Sequence, residues 1–151
     1  METKTYERKE EIVAINPHKL AHKWSVHLLM DGAGQQLIDA GKMDFESMDT
    51  QGVLAHGTHV VGTANKHIDA NATLITLPDG TETHAVVVRE KESPTSTAVL
   101  AVYKGVLLRE KNGEMTIVGR FKFNPGLGPI LLGLPGPPPG QDEGTWVITK
   151  P

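Results

Sequence analysis

The sequence contains no cysteine, which excludes disulfides and thiolate-bound metals and fits a reducing compartment. No window approaches the roughly 20 consecutive apolar residues of a membrane-spanning helix. Neither charge sign dominates: 15 basic residues stand against 18 acidic ones, a net charge of -3. That balance gives no electrostatic reason to expect nucleic acid or an anionic membrane as partner. The amino end carries Glu2, Lys4, Glu7, Arg8, Lys9, Glu10 and Glu11, the opposite of a secretory apolar stretch. These absences predict a soluble, cytoplasmic chain. What is present is one domain's worth of residues, 151, with residues 1–9 a candidate disordered stretch. With glycine counted as apolar and tyrosine left out, the apolar share is about 48%, within the globular norm. Seven histidines could reverse the sign of the net charge in mild acid.

The middle of the chain alternates with period two, the mark of strands with one buried and one wet face. From Met115 to Asn124, Met115, Ile117, Phe121 and Phe123 point one way and Thr116, Arg120 and Lys122 the other. The preceding Asn112-Gly113 is a strong hairpin signal, so this strand is expected to pair with the apolar run Thr97 to Leu108. A second hairpin is expected around Pro78-Asp79-Gly80, joining Thr73–Leu77 to His84–Val88; proline presets φ and glycine accepts the left-handed position. Further strands are expected at Lys23–Met30 and at Gln36–Glu46, with Leu37, Met43 and Phe45 inward. Two more are Val53–Ala64, interrupted by glycine, and, more weakly, Glu10–Asn16. Asn16-Pro17 also reads as a helix cap, so a short turn there precedes the Trp24 strand.

Six of the ten prolines fall between Pro125 and Pro139, interleaved with glycine, which excludes helix interior and central strand. Residues 125–144 are therefore read as a Pro/Gly-rich loop, a lid or a contact surface, carrying the apolar Ile130–Leu134 patch. A last short strand, Thr145–Thr149, returns Trp146 and Ile148 to one face. The count is about eight antiparallel strands in sequence order, and closure removes sticky edges. The expected fold is an all-β, up-and-down antiparallel barrel.

The run Ala55-His56-Gly57-Thr58-His59-Val60-Val61-Gly62-Thr63-Ala64 resembles the catalytic-histidine box of subtilisin-type proteases, which would make His56 a general base. No matching nucleophile segment follows; Ser93 and Ser96 lie in a Glu-Ser-Pro-Thr-Ser loop, and a base without a nucleophile cannot run acyl transfer. In a regular strand His56 and His59 face opposite sides, one in the core and hydrogen-bonded, the other exposed. His56, His59, His67 and His84 in the central strands also admit a His-ligated metal barrel as an alternative, with Glu82 as the nearby carboxylate. The His-x-His spacing of cupin barrels is absent, and His18 and His22 lack a metalloprotease glutamate. No metal residue and no cofactor is assigned.

A barrel interior is the third constellation. Its candidate polar members are His27, Asp39, His59, Glu82, His84, Tyr103 and Arg120, and its candidate aromatic walls are Trp24, Phe45, Phe121, Phe123 and Trp146. Among these, His84, Glu82, His59 and Tyr103 are the candidate proton donors and acceptors. Arg120 alternates onto the wet face. The order of hairpins from Trp24 to Phe123, with the Leu77-Pro78-Asp79-Gly80 turn, resembles small barrels of the allene oxide cyclase-like and lipocalin-like kinds. No Gly-x-Trp signature of lipocalins sits near the first strand. The resemblance implies a cavity for a hydrophobic or polyketide-like molecule, used in some cases for cofactor-free cyclisation or isomerisation, and transfers no catalytic residue. The expected function is binding of a hydrophobic small molecule, with or without such turnover. The alternative is a noncatalytic interaction or structural subunit, and a homodimer is compatible with either.

Overall fold

A computed structural model describes residues 22–31, 37–45, 56–109, 114–124 and 143–150. They form a closed antiparallel barrel in strict sequence order. The strands are β1 (His22–Met30), β2 (Leu37–Phe45), β3 (His56–Val61), β4 (Ala64–Thr76), β5 (Glu82–Lys91), β6 (Ala101–Arg109), β7 (Met115–Phe123) and β8 (Glu143–Lys150). β1 closes the barrel on β8, with Leu28 opposite Trp146 and Val26 opposite Ile148. The expected all-β up-and-down architecture is therefore the observed one. The expected strand at Glu10–Asn16, the Asn16-Pro17 turn and the Pro125–Pro139 segment lie outside the described residues. Among the described residues there is no helix long and apolar enough to cross a membrane.

Alternation fills the lumen. Trp24, Val26, Leu28 and Met30 of β1, Val86 and Val88 of β5, Ile117, Phe121 and Phe123 of β7, and Trp146 and Ile148 of β8 are all buried. Each such large side chain contributes roughly 1.5–3 kcal/mol over leaving it in water. An eight-stranded barrel is just wide enough for side chains to fill or for one small ligand. Here Trp24, Trp146, Tyr103, Phe45, Phe121 and Phe123 occupy much of the centre.

The strands depart from the sequence reading in three places. In β2 the expected inward Leu37 is 56% exposed, while Ala40, Met43 and Phe45 are buried. The phase slips at Gly41, whose φ of 75° only glycine adopts readily, next to the register break opposite Ser25 to His27. The expected Val53–Ala64 strand is the shorter β3, ended by a turn at Gly62, and β4 begins at once with Ala64 rather than near Thr73. Its first half, Asn65-Lys66-His67-Ile68-Asp69-Ala70-Asn71, is poor in β-formers and is held by pairing on both sides. The third departure is β6, which starts at Ala101 rather than Thr97.

The Leu77–Thr81 turn forms as its sequence demands. Gly80 N–H donates to Leu77 O at 2.9 Å, and the Asp79 carboxylate accepts from the Thr81 backbone at 3.0 Å and from its hydroxyl at 2.6 Å.

Candidate functional site

The lumen holds a compact polar cluster inside an aromatic cage. On β5, Val86, Val88 and Glu90 point inward, so the carboxylate of Glu90 ends in the core with 1% of its surface exposed. His59 of β3, fully buried, places Nδ1 2.6 Å from Glu90 Oε1 and Nε2 2.7 Å from the carbonyl oxygen of Ala40. Two acceptors on one imidazole call for two N–H donors, the imidazolium form. Tyr103 of β6 donates its hydroxyl to the same Glu90 oxygen at 3.1 Å. Burial alone would lower the His59 imidazole, but the charge and hydrogen bond of Glu90, with the Ala40 carbonyl, outweigh it and raise the group above its ordinary value. Burial pushes the Tyr103 phenol well up, and the Glu90 charge adds to that shift. The ring of Tyr103 sits 5.4 Å from that of Trp146 and within 6.4 Å of Phe121, Phe123 and His59.

Of the expected proton-transfer residues, the structure brings His59 and Tyr103 together. His84 is also buried on the inward face of β5, where burial lowers its imidazole, and its Nδ1 has no hydrogen-bond partner among the described residues. Glu82 is in phase with His84 on β5 but lies exposed at the start of the strand, whereas His84 is buried. Among the other interior candidates, Asp39 and Arg120 are exposed and His27 lies between the inward Val26 and Leu28. Arg120 forms an exposed ion pair with Asp31. The aromatic residues Trp24, Phe45, Phe121, Phe123 and Trp146 are all lumen residues buried to within 2%. Trp146 Nε1 lacks a partner among the described residues.

Glu90, the acceptor that joins His59 to Tyr103, has no place among the sequence candidates. It sits in the charged run Arg89-Glu90-Lys91-Glu92, which reads as a solvated strand end. The available signal was the period-two face of Val86 and Val88, which reaches Glu90 before β5 ends.

The outer wall carries His56 and His67. His56, in the protease-like box, points away from His59 as expected, and its Nδ1 lies 2.8 Å from Asp69 Oδ1. His67 Nε2 lies 2.8 Å from the same oxygen, and Lys91 Nζ holds Asp69 Oδ2 at 2.8 Å. His59 and His84, inside the barrel, are no part of that group.

A cavity of about 570 Å³ lies along the start of β6 and the end of β7. Val99, Leu100 and Val102 give it apolar walls backed by Phe121 and Phe123, Lys104, Arg120 and Lys122 bring positive charge, and Glu143, opposite Lys122 in the β7–β8 register, brings one carboxylate. Lys104 stands opposite Arg120 and Val102 opposite Lys122 in the β6–β7 register. A smaller cavity of about 370 Å³ adjoins His56 and His67 under Ser93 and Pro94. No protein-family model, curated protein or solved structure matches the chain.

Proposed function

We propose that the chain is a noncatalytic binding protein for a small, largely apolar molecule bearing an anionic group, held in the β6–β7 cavity. The observation that carries this reading is the cavity itself. Its volume of about 570 Å³ suits a small-molecule site, and it joins apolar walls to three cationic side chains against the single carboxylate of Glu143. Lys104 and Lys122 have no ion-pair partner among the described residues, while Arg120 is engaged by Asp31. The expectation of an apolar ligand is kept, and we assign it to the wall rather than to the lumen, where the largest aromatic side chains are buried; Phe121 and Phe123 still back the site. Binding without turnover is favoured because His59 and Tyr103 spend their donors on Glu90 and Ala40, inside the core and away from this cavity.

The test is fluorescence titration with dansylundecanoic acid and with its uncharged methyl ester. The acid binds with one-to-one stoichiometry and the ester more weakly. Replacing Lys104 and Lys122 together by methionine weakens the acid by about tenfold or more, the value of a charge-assisted hydrogen bond. Val102→Trp, which fills the cavity from β6, abolishes both. Failure of the acid to bind, or equal binding of acid and ester unaffected by these changes, overturns the reading.

A further inference from the structure

We propose that His56, His67 and Asp69 on the outer wall of β3 and β4 form a binding site for a divalent transition metal of borderline softness, with Zn(II) as the test ion. The strand geometry builds the set. His67 and Asp69 are two residues apart on β4 and so share a face, and His56 on β3 is paired in register with Asp69. One potential ligand atom from each residue lies within 4.8 Å of the other two. Two imidazole nitrogens and one carboxylate oxygen on a common face make the donor set used for Zn(II) and for nonhaem Fe(II), with coordination positions left open.

Two features support a ligand-holding role beyond the mere meeting of three polar residues. Lys91 grips the second oxygen of Asp69 at 2.8 Å, which turns Oδ1 toward both imidazoles, as outer-sphere partners orient a metal-binding carboxylate. The cavity of about 370 Å³ opens beside His56 and His67, and Thr58, Asn65 and Ser93 on its walls offer oxygen to water or a small ligand on the open positions. His67 is buried, whereas the His56 side chain, held by Asp69, is 73% exposed. A metal at about 2.0–2.2 Å from each donor needs the present 2.8 Å contacts to open to roughly 3–3.5 Å, a small rotation of His56 together with a small turn of the Asp69 carboxylate away from His67. His56 Nδ1 and His67 Nε2 would then present lone pairs, each ring carrying its proton on the other nitrogen.

Calorimetric titration of the full chain with Zn(II) tests the site. One equivalent binds at micromolar concentration. His56→Ala, an exposed change that leaves the fold intact by circular dichroism, lowers the affinity by more than about 100-fold, beyond the 10–100-fold typical of outer-sphere partners. Asp69→Asn lowers it by at least about tenfold. His27→Ala, on β1 and outside the cluster, leaves it unchanged. Absence of uptake by the unaltered chain, or uptake that His56→Ala does not diminish, overturns the proposal. Neither result bears on the β6–β7 cavity.

Discussion

The buried imidazole of His59 donates from Nε2 to the carbonyl oxygen of Ala40 at 2.7 Å, the residue just before the Gly41 irregularity in β2. A break in strand phase leaves backbone groups short of ladder partners, and a buried carbonyl without a donor is costly. His59 supplies that donor and carries its resulting charge to Glu90. The phase break in β2 and the ionised cluster thus belong to one arrangement.

Removing one member of a buried pair strands the other. Glu90→Ala leaves His59 without its countercharge and is expected to cost about 3–5 kcal/mol. Tyr103→Phe keeps the ring against Trp146 and loses only the hydroxyl bond to Glu90, at about 1.5–3 kcal/mol. Urea denaturation of the two variants measures both losses, and their order is the discriminating result.

Two histidines give stability opposite slopes in pH. His59 is raised from 6.5 on folding, so its contribution is complete below about pH 6.5 and is lost as pH climbs through the higher folded value. His84 is lowered from 6.5 on folding. As pH falls below about 6.5 the unfolded chain takes up that proton first, and stability declines toward the folded value. Melting temperatures between pH 5 and 9 are therefore expected to peak near 6.5. His59→Gln removes the alkaline decline, and His84→Phe removes the acid one.

Gly41 has no room for a side chain. A Cβ there would lie 1.9 Å from the carbonyl oxygen of Val60, on a backbone with φ of 75°. Gly41→Ala is expected to cost about 1–3 kcal/mol from the backbone conformation alone, and more from the clash. A thermal melt checks the loss. An exchange-broadened His59 ring in NMR would show that the change reaches the core through Ala40.

Period-two alternation made the barrel legible because its inward residues are apolar and its outward ones charged along most strands. It failed where the backbone departs from regular geometry or where pairing overrides composition. Leu37 was misplaced because a one-residue slip at Gly41 reverses the faces before it. The first half of β4 was missed because Asn65, Asp69 and Asn71 favour turns when read alone. His59 and Tyr103 were found as polar residues on apolar faces. Glu90 was hidden by its charged neighbours, and Asp69 by its place in a segment not read as strand. Which polar residues meet across strands depends on register, which no single strand encodes.

The seam between β1 and β8 has a consequence for synthesis. Of the described strands, the one that seals the barrel emerges from the ribosome after the other seven, so a nascent chain that has reached only β7 presents two unpaired margins able to recruit a neighbour. Chains released before Glu143–Lys150 are translated should coprecipitate or exchange strands, placing much of the barrel's vulnerability in the interval before its sealing strand is made.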